Sequence, residues 1–343
     1  MDFPHGGDLY GKQVVCDFSA NINPLGIPAP VRAALHGAVD ACAAYPDPFA
    51  RELTHALAAR YGLRPEQIFC GAGASEIFFR LADCLGGKNV LLPAPTFAEY
   101  ERALTHFGCT LRFHTLRAEE NFDLTARILD EITEEIGAVF LCTPNNPTGR
   151  LISEQLMRAV VSRCRETGAW LMVDECFLDF CEGAFSARAL LGEYDRLVVV
   201  RAFTKLHALP GVRLGWCMCG DPAVIEGLRR AGPPWNVSSF AQAAGLAALT
   251  MDGFEDETAR YVAERRRALR EGLTALGLTV VDGAANYLFF RSSRTDLCTQ
   301  LAARGILLRD CSNFRGLSAG DYRCAVRTEE ENALLLGALR EVL

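Results

Sequence analysis

Three short runs bring together the residues best able to do chemistry: T-P-N-N-P-T-G at 143–149, V-D-E at 173–175, and T-K at 204–205 followed by Arg213. The apolar run Ala138-Val139-Phe140-Leu141-Cys142 reads as a strand that delivers Asn146 and two prolines into a tight turn. Trp170-Leu171-Met172-Val173 reads as a second strand, ending in Asp174. Arg196-Leu197-Val198-Val199-Val200 reads as a third, ending just before Lys205. A carboxylate that keeps a pyridinium nitrogen protonated, an amide within reach of a phenolic oxygen and a lysine able to form a Schiff base are what pyridoxal 5'-phosphate (PLP) requires. The order and spacing of the three runs predict a site for that cofactor.

A lysine placed after such a strand projects from the C-terminal edge of a parallel sheet, where cofactor crevices form. An ordinary exposed lysine is the alternative, and the company of Asp174, Asn146 and Arg213 disfavours it. Asp174 closes an apolar strand, and a buried acid without a partner is costly, so the site should supply a cation or donor. A protonated pyridinium nitrogen would satisfy it; a helix N-cap or a surface salt bridge is the plainer reading. Gly71-Ala72-Gly73-Ala74-Ser75-Glu76 opens a helix, where free backbone amides and the macrodipole suit a phosphate at Ala74 and Ser75. Thr204 and Arg213 would complete that cradle. Phe97 is placed to stack on a pyridine face, with plain core packing as its alternative. Arg309 and Arg323 fall on two strands near the C-terminus. Strand arginines rarely end in a core unless an anion meets them, so the pair predicts a substrate with more than one anionic group.

The elements that must hold these residues are short apolar strands alternating with longer stretches of helical period, which predicts an α/β fold with a mainly parallel sheet. Helices are expected over 75–84, 97–107 and 154–167. A strand is expected at Val90-Leu91-Leu92, ended by Pro93 and Pro95. Beyond about residue 230 the character changes. Gly232-Pro233-Pro234 breaks the chain, and a helical tract runs from about Phe240 to Leu276, interrupted near Asp252-Gly253. Strands are then expected at 286–291, 306–309 and 322–327, with helices near 295–304 and from Glu329. The expected organisation is an N-terminal arm over 1–40, a large cofactor-binding unit over 41–235 and a small α+β unit over 236–343.

Composition narrows the partners. Lys and Arg number 35 against 42 Asp and Glu, and the net charge of −7 argues against general nucleic-acid binding. No run approaches eighteen apolar residues and the N-terminus lacks a signal-peptide pattern, so neither a membrane span nor secretion is expected. The 14 cysteines are scattered without a C-x-x-C, which predicts free thiols in a reducing cytoplasm and no metal site.

The chain resembles the fold-type I PLP enzymes of the aspartate aminotransferase superfamily, in the branch that contains histidinol-phosphate aminotransferase. The likeness runs from Asp17 to the C-terminus. A narrower likeness, to the threonine-phosphate decarboxylases of that branch, rests on His5-Gly6-Gly7, D-F-S-A-N-I-N-P-L-G at 17–26, Y-P-D at 45–47 and F-A-E-Y at 97–100. It rests also on L-C-T-P-N-N-P-T-G at 141–149, the T-K-L-H-A-L-P-G-V-R-L-G run at 204–215 and the C-terminal arginines.

The resemblance implies that Lys205 is the Schiff-base lysine, that Asp174 holds the pyridine nitrogen and that Asn146 bonds the phenolic oxygen. It implies that Tyr45 reaches the cofactor phosphate of a neighbouring subunit, making the active unit a homodimer with shared sites. Arg323 is implied to hold the substrate carboxylate, and Arg309, His5 and either Asn21 or Asn23 the phosphate of a phosphorylated amino acid. The implied reaction converts L-threonine O-3-phosphate to (R)-1-amino-2-propanol O-2-phosphate, the cobamide linker. L-serine O-phosphate as substrate and a histidinol-phosphate-type transamination are the alternatives. Ala202 and Phe177 depart from the serine and tyrosine that many relatives carry. Each replaces a hydrogen bond worth roughly 1 kcal/mol, so weaker cofactor retention is expected.

Overall fold

The computed structural model describes residues 5–343. Its large sheet has seven strands in the order Ile68–Gly71, Gly215–Cys219, Leu197–Ala202, Trp170–Asp174, Ala138–Cys142, Asn89–Ala94 and Thr110–Thr115. All run parallel except Gly215–Cys219, which is antiparallel to both neighbours. The central strands are apolar on both faces because both faces are covered. Alternate side chains feed two separate cores. Val139, Leu141, Leu171, Val173, Leu197 and Val199 enter one, and Phe140, Met172, Val198 and Val200 the other.

Local signals set the covering helices. Glu154–Thr167 begins at Ser153, whose hydroxyl accepts from the Leu156 amide at 3.2 Å, and stops at Gly168 in the left-handed region. Its buried Met157, Val160, Val161 and Cys164 lie on the face turned to the sheet. Among the described residues, no helix is long and apolar enough to cross a membrane.

The small sheet is antiparallel, in the order Arg309–Asp310, Asp321–Ala325, Tyr287–Arg291, Thr279–Val280. Its core is packed by the helices Phe254–Ala275 and Glu329–Val342, the second started by a capping box between Thr328 and Glu331. The arm is stitched to this side. Cys16–Asp17 pairs in parallel with Ile306–Leu307, and the Ala325 amide donates to the Phe18 carbonyl at 2.8 Å. The two parts of the chain meet backbone to backbone at Gly149 and Gly283. A Cβ on Gly149 would lie 3.0 Å from the Gly283 Cα, and one on Gly283 3.1 Å from the Gly149 Cα.

Two elements differ from expectation. The strand expected to end at Pro93 runs on to Ala94. It pairs with Ala138–Cys142 only at Val90 and Leu91 and continues beside Thr110–Thr115 alone, so Pro93 withholds its missing donor where the strand has a single neighbour. The strand expected over 306–309 splits in two. Ile306–Leu307 joins the arm, and Arg309–Asp310 joins the small sheet. The long helical tract is interrupted where expected, and its two helices serve different cores. Ser239–Leu249 buries Ala241, Ala244 and Ala248 against the large sheet, whereas Phe254–Ala275 buries Val262, Leu269 and Leu273 against the small one.

Candidate active site

The C-terminal ends of strands Ala138–Cys142, Trp170–Asp174 and Leu197–Ala202 open on a cavity of about 340 Å³, closed on the other side by the arm and the small sheet. Asp174, the last residue of its strand, is buried and held from two sides. The Tyr100 hydroxyl donates to one oxygen at 2.5 Å and the Cys176 amide to the other at 2.8 Å. Burial pushes the carboxyl above its usual range, while those two bonds and the charge on Lys205 oppose the shift. Tyr100 packs edge-on against Phe78 and Phe97, and burial drives its phenol well above the ordinary value.

The two asparagines of the T-P-N-N-P-T-G run divide the work. Asn145 builds the turn, donating to the Pro95 carbonyl and the Thr148 hydroxyl at 3.0 Å each and accepting from Thr96 at 2.9 Å. Asn146 faces the cavity, where its Oδ1 accepts from Arg323 at 2.5 Å. Lys205 lies in the one-turn helix Phe203–Leu206, with Nζ 5.5 Å from the centre of the Phe177 ring. Burial first, then the nearby charges of Arg323 and Arg213, lower the Lys205 amine to about 8, against the opposing pull of Cys176 and Asp174.

The helix Ala74–Cys84 presents its first amides to the same cavity, and Ala74, Ser75, Thr204 and Arg213 all line it. Gly73 is required at this place. Its φ of 84° is left-handed, and a Cβ there would stand 2.5 Å from the Arg213 Nη2. The turn is braced by Glu76, which accepts from the Ala72 amide at 2.5 Å and is held by Arg80 and Asn236.

Opposite this cradle, Arg309 and Arg323 are register partners on adjacent antiparallel strands, and both are buried and line the cavity. Arg323 donates to Asn146 and, at 2.8 Å, to the Ser19 carbonyl, and its buried Nε has no partner. Arg309 donates to the Asp310 carbonyl and to Asn313 Oδ1 and lies over the Phe314 ring. Burial lowers both guanidiniums, and for Arg323 the charge of Arg309 adds to it. His5 closes the mouth, bonded through Nε2 to Glu99 at 2.7 Å. The arm behind it lies too close for a side chain, since a Cβ on Gly6 would fall 2.1 Å from the Ser19 carbonyl oxygen.

Of the sequence-predicted residues, Lys205, Ala74, Ser75, Phe97, Asn146, Asp174, Thr204, Arg213, His5, Asn21, Arg309 and Arg323 all line this cavity, as do Ala202 and Phe177. The structure separates the two asparagines left open in the arm. Asn21 faces the cavity with a buried Oδ1 that has no partner, whereas Asn23 lies outside its lining and donates to the Leu206 carbonyl at 2.6 Å. Tyr45 is also outside; it is 83% exposed and packs against Trp235 with the rings tilted by 33°. Glu99, Arg102 and Tyr100 went unrecognised. The helical spacing of F-A-E-Y, with Phe97 and Tyr100 three apart, carried the signal for Tyr100. An anion cradle, a buried acid and a lysine amine around one cavity form the donor set that pyridoxal phosphate needs.

The architecture is an α/β fold of the aspartate aminotransferase type, with its Schiff-base lysine candidate just past the end of a central strand. The chain belongs to the aminotransferase class I and II family, whose model matches residues 13–339. It is 37% identical over 350 residues to the threonine-phosphate decarboxylase of Salmonella typhimurium, covering 99% of this chain and 96% of that one. It is 33% identical over 343 residues to the histidinol-phosphate aminotransferase of Nitratidesulfovibrio vulgaris, covering 98% and 91%. The crystal structure of the histidinol-phosphate aminotransferase from Clostridium acetobutylicum matches with a TM-score of 0.90 at 28% identity, covering 96% of this chain and 99% of that one.

Proposed function

We propose that this protein is a PLP-dependent decarboxylase that converts L-threonine O-3-phosphate to (R)-1-amino-2-propanol O-2-phosphate, working as a homodimer with shared active sites. The observation that carries the reading is the register pair Arg309 and Arg323. Two buried like charges directly opposite each other are unfavourable in the free protein, and a substrate bearing both a phosphate and a carboxylate neutralises them. The likeness to the Salmonella enzyme over nearly the full length of both chains supports the same substrate.

The residues that would hold the cofactor are Lys205 at its aldehyde, Asp174 at the pyridine nitrogen, Asn146 at the phenolic oxygen and Phe97 against the ring. Ala74, Ser75, Thr204 and Arg213 would hold its phosphate, together with Tyr45 from the neighbouring subunit. Bound there, PLP supplies an electron sink for whichever Cα bond of the amino acid stands perpendicular to its ring. Asp174 keeps a proton on the nitrogen, and Tyr100 and Cys176 fix the carboxylate for that work. Arg323 takes the substrate carboxylate region, and Arg309, His5 and Asn21 take the phosphate. Gripping both ends selects the bond that breaks, because binding groups remote from Cα set its torsion. Lys205, lowered to about 8, can carry a proton to Cα near neutral pH. The units that close around the site are, on this reading, a large one through about residue 250 and a small one from Phe254 joined by the arm.

The test is to mix the PLP-loaded protein with L-threonine O-3-phosphate, without any oxo acid, and to measure CO₂. Stoichiometric CO₂ with an aminopropanol phosphate product is expected. No CO₂, but glutamate formed from histidinol phosphate and 2-oxoglutarate, would establish the aminotransferase reading that the second relative favours. L-serine O-phosphate belongs in the same assay, since one methyl group separates substrates by only about 1–3 kcal/mol.

A further inference from the structure

The arm crosses the cavity with its buried and half-exposed residues in alternation. Ser19, Asn21 and Asn23 are buried, while Ala20 and Ile22 are half-exposed. The three buried residues serve different clients. The Ser19 carbonyl receives Arg323, the Asn21 side chain faces the cavity, and Asn23 turns to the loop that carries Lys205.

The contact at Asn23 is a three-point clasp. Its backbone amide donates to the Lys205 carbonyl at 3.1 Å and its Nδ2 to the Leu206 carbonyl at 2.6 Å, while its Oδ1 accepts from the Leu25 amide at 3.0 Å. The last of these bonds fixes the side chain in the orientation the second requires. The helix so held is a single turn, Phe203–Leu206, and has no register of its own to keep it in place. The chain beyond it is strained. Ala208 has φ 52° and Arg213 φ 62°, both left-handed and neither a glycine. A non-glycine residue keeps that conformation only where its surroundings impose it. The loop that brings Lys205 and Arg213 to one cavity is therefore dictated from outside, and Asn23 reaches two of its carbonyls, that of Lys205 with its backbone amide and that of Leu206 with its side chain.

We propose that Asn23 is a positioning residue: by holding the carbonyls of Lys205 and Leu206 it fixes where the Lys205 amine stands in the cavity. The arm thereby ties the arginine that meets substrate to the lysine that does the chemistry, through the three residues between Ser19 and Asn23. This rests on the reading of Lys205 as the Schiff-base lysine and not on the identity of the substrate.

The informative variant is Asn23→Asp, which keeps the acceptor for Leu25 and removes the donor to Leu206. In the cofactor-free protein an amine-reactive reagent is applied across a pH series, and labelling of Lys205 and of the exposed Lys12 is read by peptide mass spectrometry. The pH of half-maximal labelling reports the surroundings of the amine and, unlike the rate, is indifferent to access. In Asn23→Asp the Lys205 midpoint should rise by one unit or more, as the released amine leaves its apolar setting and the two arginines, while the Lys12 midpoint stays put. With PLP added, the Lys205 Schiff-base absorbance should titrate at a shifted pH, and kcat should fall about tenfold with KM within twofold. Because the carboxylate in Asn23→Asp would itself raise a nearby amine, the uncharged Asn23→Ser, which keeps a shorter donor, must give a smaller shift in the same direction, and it stands alone should Asn23→Asp fail to fold. A lower melting temperature with an unmoved Lys205 midpoint and an unchanged kcat, in whichever variant folds, would overturn the proposal and leave Asn23 a purely structural residue. A wild-type chain in which PLP never attaches to Lys205 would sink the functional reading instead.

Discussion

Asp174 and Lys205 come from the ends of parallel strands in the large sheet, whereas Arg309 and Arg323 come from an antiparallel pair in the small one. On the first side the acids are held within the chain. Asp174 has Tyr100 and the Cys176 amide, and behind it the buried Glu175 is matched by Arg201 at 2.9 Å. On the second side two cations face each other, and Arg323 is satisfied only by neutral oxygens, those of Asn146 and Ser19. Parallel strand ends give a floor whose acids are already held before any ligand arrives. The antiparallel pair gives a rim of two like charges set opposite each other, which an anionic ligand would meet. Stability and activity should therefore respond together on the floor and oppositely on the rim.

The floor should give the largest effects. Lys205→Ala is expected to lower CO₂ release by about a thousandfold or more and to abolish the Schiff-base absorbance, as follows from losing a covalent anchor and a proton carrier together. Asp174→Asn should lower kcat by roughly 10²–10³-fold, the scale of a lost charge-stabilising group, and a melt should show a loss of stability as Tyr100 loses its acceptor. The rim should behave otherwise. Arg309→Met is expected to lower kcat/KM for the phosphorylated substrate about a hundredfold, a charged hydrogen-bond pair being worth roughly 1.5–3 kcal/mol, while its melting temperature holds or rises. A variant that loses both in parallel would make Arg309 structural and collapse the contrast.

Two smaller tests sharpen it. Mixing Lys205→Ala with Tyr45→Ala protein should restore about a quarter of wild-type activity if Tyr45 serves the neighbouring site, because one of the two sites in a mixed dimer is then whole. No recovery after subunit exchange would confine Tyr45 to its packing against Trp235. The smallest effect concerns the back of the floor. His207, buried and stacked on Phe254, is lowered to about 4 by desolvation. The unfolded chain binds that proton first, near its ordinary value of about 6.5, so stability should fall as pH drops from about 6.5 to 4. The loss should be on the order of 2–3 kcal/mol, and urea melts of His207→Phe should lack that part of the slope.

The floor was legible in the sequence because each of its residues follows an apolar strand within a few positions, so strand ends and turn prolines announce it locally. The phosphate cradle was legible for the same reason, as a glycine turn opening a helix. What the sequence left open depends on register and on irregular chain. Nothing local says that Arg309 and Arg323 stand opposite one another, since that follows from how Arg309–Asp310 meets Asp321–Ala325. The expected strand over 306–309 hid this, because the chain switches sheets at Leu308. Asn21 and Asn23 could not be told apart, because both fall on the buried side of the arm's alternation and only the turn of the chain takes Asn23 to the Lys205 loop. Glu175 and Arg201 went unnoticed as a buried pair because Glu175 follows one strand and Arg201 lies on the next, and only the sheet brings them side by side.

The bare crossing of Gly149 and Gly283 bears on how this sequence can drift. The turn that presents Asn146 and the chain entering the small sheet touch there without side chains between them, and the Ala284 amide bonds the Gly149 carbonyl at 2.8 Å. A methyl at either position would press on the facing backbone, at Gly149 on top of a left-handed φ of 73°, and a second change at the other glycine only adds to the crowding. Compensation by a neighbouring substitution, the usual escape for a crowded core, is closed at this spot. Lineages descending from this sequence are thus expected to retain both glycines even where the arginines of the rim are exchanged for a different substrate.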